Sequence, residues 1–392
     1  MPRPWCLVAL AVFAAAGLAE VAWRPMNGDA SWYVYVAGRL LDGDRAYVDL
    51  IDTNPPLILW LDMGVVAAAR AAGVAPLAAF QVAVFAAIGL SLALSWRAGR
   101  GLPRPLREAS LAVFGFMLLV GVGPAFGQRE HLAVALVLPY AFAAADEGRG
   151  RRPTVWLAMV TGLLAGVGFS LKPFFVPIAA AVELWLATRR RWRVWCRPQA
   201  LAMAGIIGLY GLLIACLTPQ YFEVALRLAP LYPAHNPTGP KLIANSWRLG
   251  IVVAAMALAW ASIRRRAPGF AEVFLLIDAW FTASLYLTGK GWDYHWFPPL
   301  AFSWSLAIGS AAMLLEPALR RRTGLAAVVV SSLIVIPTAL TIQETRSRLP
   351  DRETARVVRD GTREGDAVFV LSPWIHKAFP MILERRLRWG LR

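Results

Sequence analysis

Apolar runs long enough to cross a bilayer recur along almost the whole of this chain, at 5–23, 56–72, 76–96, 109–126, 131–145, 154–171, 174–188, 199–217, 248–263, 270–287, 297–315 and 324–342. A helix needs about 20 apolar residues to cross hydrocarbon. With 392 residues, 58% hydrophobic and 16% charged, and a mean hydropathy of +0.54, the chain has more apolar surface than one soluble core can bury. The spacing therefore predicts an all-α polytopic membrane protein. The formal charge of +16 does not indicate a nucleic-acid partner, because its excess is mostly arginine in short loops between apolar runs, the positive-inside pattern. Cys6, Cys196 and Cys216 have neither the spacing of metal ligands nor an even pairing, and imply no disulfide framework. The first run also fits a cleaved leader; with so many spans behind it, an uncleaved anchor is the expectation.

The arginine clusters set the orientation. Arg97/Arg100/Arg104/Arg107, Arg149/Arg151/Arg152, Arg189/Arg190/Arg191/Arg193/Arg197, Arg264/Arg265/Arg266 and Arg320/Arg321/Arg322 read as cytoplasmic loops. Between successive clusters lie two runs joined by a distinctive connection: GQREH, LKP, a long polar loop, and GKGWDYHW. All of these fall on the outer side. Three full crossings before Arg97 would break the charge rule, so 56–72, interrupted by Asp62 and ending at Arg70, is expected to lie in the outer interface with SWYVYVAGRLL as a second interfacial helix. About eleven crossings remain, with the N-terminus cytoplasmic and the C-terminus outside a plasma (inner) membrane. The transmembrane domain covers 1–342, with a first outer loop at 24–75. The tail 343–392 is charged and soluble in character, and ends so abruptly in RRLRWGLR that its completeness stays open.

The chemistry gathers on the outer side. His131, His235, His295, His376 and Lys172, Lys241, Lys290, Lys377 all fall in connections opposite the arginine loops. The first outer loop adds Asp29, Asp42, Asp44, Asp49 and Asp52.

The arrangement GDASWYVYVAGRLLDGDRAYVDLIDTNPPL resembles the first outer loop of the GT-C superfamily of integral-membrane glycosyltransferases, which includes protein O-mannosyltransferases and aminoarabinose transferases of lipid A. The matching elements are Asp29 soon after the first span, Tyr33/Tyr35, Leu40-Leu41-Asp42-Gly43, Tyr47-Val48-Asp49 and Pro55-Pro56. Glu130 stands where these enzymes often carry a second acid. One departure is that Asp29 is followed by alanine where many relatives have two adjacent acids, which weakens a two-carboxylate assignment there. The resemblance implies a glycosyltransferase that takes a sugar from a polyprenyl-phosphate donor on the outer face, with inversion, to a glycan, lipid or protein acceptor.

Such a reaction needs a carboxylate to accept the hydroxyl proton, for which Asp29 is the candidate with Glu130 as rival catalytic acid. It needs cations to hold the departing lipid phosphate, for which Arg129, Lys172 and Lys290 are candidates; alone, each also fits headgroup anchoring. The resemblance implies a substrate cavity bordered by Tyr33, Asp49, Asn54, His131, Asp293, Tyr294 and His295. No cofactor is required by these residues. A divalent metal is an open alternative, with Glu130, His131 and His295 as candidate ligands by type, though no local spacing supports it. Glu183 is expected to pair with Arg189 or Arg190. Asp278, near the middle of its span, keeps a transporter reading open, and a non-catalytic membrane assembly subunit is a third.

Overall fold

The computed structural model describes residues 2–23, 26–190, 195–228, 247–289, 292–319, 352–370 and 378–390. The long helices are α1 (Pro4–Trp23), α2 (Gly28–Leu41), α3 (Leu57–Ala72), α4 (Pro76–Ala98), α5 (Arg104–Phe116), α6 (Arg129–Gly148), α7 (Val155–Ser170), α8 (Val176–Arg190), α9 (Pro198–Leu217), α10 (Gln220–Leu228), α11 (Trp247–Ser262), α12 (Pro268–Leu287) and α13 (Phe297–Leu319). The tail contributes α14 (Arg352–Gly361), a short α15 (Met381–Glu384), and a two-residue parallel pairing of β1 (Ala367–Val368) with β2 (Arg388–Trp389). The run expected at 324–342 lies outside the described residues.

Among the described residues five helices are long and apolar enough to cross a bilayer: α1, α4, α9, α12 and the helix beginning at Asp293; Val155–Ser170 and Arg248–Ser262 are shorter apolar helices. α6 falls outside that set for a physical reason. It is the central helix, buried almost all round, so it is not obliged to be apolar at its ends, where it carries Arg129 and Glu130 at one and Asp146 and Glu147 at the other. Around it packs an aromatic core in which Phe142 and Phe114 meet Phe274 edge-on, and Phe270 stacks on Phe274 at 3.9 Å.

The two ends of α6 separate the two kinds of connection. At the Asp146 end, Gly101 N–H donates to Asp146 at 2.8 Å, Arg149 donates to the Arg266 carbonyl at 3.0 Å, and Arg197 pairs with Glu147 and Glu183. Four of the arginine-bearing loops therefore meet there, joined by the N-terminal Arg3, whose amide donates to Glu108 at 2.9 Å. Glu183 accepts from Tyr140 and from Arg197, and of the two arginines expected to pair with it Arg189 instead pairs with Glu272, while the Arg190 side chain lies outside the described residues. Arg197 thus serves two buried carboxylates.

At the other end α4 begins beside Met26, whose sulfur is 3.9 Å from Gln81 Nε2. α3 lies between α2 and α4 in the chain, is tied to α2 by the Arg70–Asp42 ion pair at 2.8 Å, and ends at Gly73, directly before α4. α4 then runs on to Arg97 in its last turn.

Candidate active site

The GQREH, LKP and GKGWDYHW connections converge. Gly127 makes the first of these possible, since it turns the chain with φ +77° and has no room for a Cβ, which would sit 2.5 Å from the Phe80 ring. Its N–H donates to His131 Nδ1 at 3.0 Å, and His131 Nε2 lies 2.9 Å from the Leu118 carbonyl inside the π turn Met117–Gly121 that ends α5. Both nitrogens of His131 are thus used on backbone, between the rings of Phe126 and Phe297. This histidine pins the turn and does not face the other candidates.

The first turn of α6 then presents Gln128, Arg129 and Glu130. Glu130, fully buried, accepts from the Lys172 ammonium, and His295 Nε2 stands 3.3 Å from both Glu130 Oε1 and Lys172 Nζ. Lys172 also lies 5.7 Å from the centre of the Tyr294 ring. One carboxylate, one ammonium and one imidazole from three connections therefore share a single buried point. An ammonium sits where a cation would approach Glu130, His131 is turned away, and among the described residues no three His, Cys, Asp or Glu side chains converge as a metal set would.

Arg129 is different. It is 6% exposed, its guanidinium lies over the Tyr33 ring at 5.5 Å, and among the described residues it makes no ion pair or side-chain hydrogen bond; its Nε is buried without a partner. Tyr33, Glu130, Tyr294 and Asp52 lie within electrostatic reach. A buried charge is usually paired, so an unpartnered guanidinium marks a place for an anion.

Asp29 is placed by its own helix. The Asn27 side chain caps α2, accepting from the Asp29 N–H at 2.9 Å and the Ala30 N–H at 3.3 Å. Gln128 Nε2 donates to Asn27 Oδ1 at 2.7 Å and to Asp29 Oδ2 at 2.9 Å. Asp29 is half-buried, and among the described residues its Oδ1 has no partner.

Asp49 and Asn54 are not brought into this group. Asp49 closes its own turn with Arg45 through an exposed ion pair at 3.0 Å. Asn54 donates through its backbone and side-chain nitrogens, both at 2.7 Å, to Asp52, which also accepts from the Trp32 indole at 2.7 Å. Burial pushes the Asp52 carboxyl above the usual carboxylate range, against those hydrogen bonds and the nearby Arg129. Asp52 and Gln128 are the residues that sequence reasoning missed; the Asp-x-Asn spacing of an Asx turn was the available signal for the first. Asp293 is drawn to Arg248 at 2.9 Å, and Lys290 lies outside the described residues.

The tail closes the loop from outside. Trp389 N–H donates to the Tyr35 hydroxyl at 2.9 Å, and Phe379 packs on Trp32 and Tyr35 with ring centres 5.4 and 5.3 Å away.

These features belong to an all-α polytopic membrane protein with its polar cluster under the first loop. Among solved structures, the crystal structure of ArnT from Cupriavidus metallidurans bound to undecaprenyl phosphate is similar with a TM-score of 0.63 over 99% of this chain and 86% of that one, at 13% sequence identity. No family model matches the sequence, and no curated protein matches it.

Proposed function

We propose that this protein is a glycosyltransferase that moves a sugar from a polyprenyl-phosphate donor to an acceptor hydroxyl on the outer face of a plasma membrane, with inversion. The observation that carries the reading is Arg129, a buried guanidinium that makes no ion pair among the described residues, one residue from the glutamine that binds Asp29. ArnT, one structural neighbour, was crystallised with undecaprenyl phosphate. In the reaction the acceptor oxygen attacks the anomeric carbon while the bond from that carbon to the phosphate oxygen breaks. The phosphate leaves with the electron pair, and Asp29 takes the hydroxyl proton. Arg129 meets the charge growing on the phosphate in a site of low dielectric, where a preorganised donor has most effect. Lys172, shared between Glu130 and His295, adds a second cation whose own charge is already balanced. Gln128 fixes one oxygen of Asp29 and leaves the other to act as base.

Asp278, on which a transport reading rests, is fully buried and accepts from Ser303 at 2.6 Å between α12 and α13, with no cation beside it among the described residues. That is a desolvated structural contact more than a coupling site. The deciding experiment incubates the purified chain with a panel of polyprenyl-phosphate sugars and measures free polyprenyl phosphate. Release from none of them, by protein that stays folded, would overturn the assignment.

A further inference from the structure

The Asp146 end of the molecule holds a cavity of about 330 Å³ between the turn after α4 and the turn joining α6 to α7, lined by Arg97, Arg100, Arg151, Arg152, Asp146 and Trp156 among others. Among the described residues none of the four guanidiniums makes an ion pair or a hydrogen bond. The two turns are locked together. Gly101 N–H binds Asp146 Oδ2, and a Cβ on Gly101 would stand 1.9 Å from Asp146 Oδ1 and 2.4 Å from the Arg151 side chain, so the chain segments are in direct contact. The four arginines are exposed around the hollow, and the one carboxylate in its lining, Asp146, gives Oδ2 to the Gly101 amide and keeps Oδ1 buried without a partner. Four positive charges face one negative charge there, an excess that attracts an anion.

The surroundings say which anion. The rim continues onto a face of α7 where Val155, Trp156 and Met159 are 64%, 57% and 45% exposed, an apolar strip headed by an indole of the kind found at a membrane interface. We infer that this cavity binds the phosphodiester headgroup of an anionic phospholipid, with the acyl chains lying along α7. Basic pockets between helices on the arginine-rich side suit such headgroups. The site stands at the opposite end of α6 from Arg129, about 26 Å away along the helix by its rise per residue, so it does not depend on the proposed transfer reaction.

The test is titration of the purified full chain with phosphatidylglycerol or phosphatidylcholine, with bound lipid counted by native mass spectrometry. Phosphatidylglycerol should bind the more tightly. Arg100→Ala/Arg152→Ala should weaken it on the order of thirtyfold, the effect of two arginine contacts at the membrane surface. Arg264→Ala/Arg265→Ala, which removes the same charge from another loop of that end, should leave it nearly unchanged. If the first pair yields aggregated protein, Arg100→Gln/Arg152→Gln is read in its place. Equal loss in both double variants would reduce the effect to general surface potential, and unchanged binding in the first would remove the site. Displacement of the lipid by millimolar inorganic phosphate would make it a free-anion pocket; all three results overturn the proposal.

Discussion

Gln128 and Asp29, separated by 99 positions, are joined by a hydrogen bond of 2.9 Å from the amide nitrogen of one to the carboxylate of the other. The same nitrogen reaches Asn27, the cap of the helix on which Asp29 stands. Asp29 is therefore held by two segments of chain, its own helix start and the turn that carries Arg129. Asp29→Asn keeps the size of the side chain and removes the basic oxygen, so turnover of a lipid-linked donor should fall roughly 10²–10⁴-fold, with donor binding little altered. Near-normal turnover in a folded variant would displace the base from this residue.

Arg129→Ala should weaken use of the donor by about 1–3 kcal/mol, the range of a charge-assisted contact. It should destabilise the fold less than removal of half an ion pair would, because among the described residues no carboxylate is in ion-pair contact with it. A melting temperature that fell sharply with unchanged kinetics would make Arg129 a structural residue.

Glu130→Gln should act chiefly on folding. The Lys172 ammonium is 12% exposed and Glu130 2% at the side chain, and removing one member of a buried pair costs about 3–5 kcal/mol. Thermal unfolding followed by tryptophan fluorescence would show this. A stable Glu130→Gln protein without turnover would instead move the catalytic base to Glu130.

Asp52 should leave a mark on the pH dependence of stability. Burial raises its pKa in the folded state, so the folded protein holds the proton more firmly than the unfolded chain. Its contribution is fully present below the unfolded value of about 4 and is lost as pH rises through the folded value. The stability of the wild type relative to Asp52→Asn should therefore decline over that window. A difference independent of pH would show that the carboxyl is not perturbed.

Phe379→Ala should free the tail. The ring is 1% exposed and contacts Trp32, Tyr35 and Trp389, and loss of such a side chain costs about 3–5 kcal/mol. Limited proteolysis should then cut within 352–390 much faster than in the wild type, while the helices between α1 and α13 remain protected.

Much of this arrangement was legible in the sequence because the arginine loops force the remaining connections to one end. Once GQREH, LKP and DYHW shared an end, Glu130, Lys172 and His295 had few other places to go. What escaped was the choice between chemically identical neighbours. Asp49 and Asp52 differ only in that Arg45 lies four positions before the first and Asn54 two positions after the second. His131 follows Glu130 directly, yet one residue along a helix turns a side chain by about 100°, and that rotation sends it to the Leu118 carbonyl instead of to Lys172. Gln128 was invisible because its value comes from reaching Asn27 and Asp29 across the fold.

The bond between Trp389 and Tyr35 spans 354 positions, and it has a consequence for biogenesis. The loop after α1 is made early, with Trp32 and Tyr35 on a helix whose cover is encoded near the far end of the chain. Throughout synthesis those rings must wait on the surface or be held by something else. A product arrested before Phe379 would insert its helices and still display that aromatic patch, giving quality-control machinery a way to tell a finished molecule from an interrupted one.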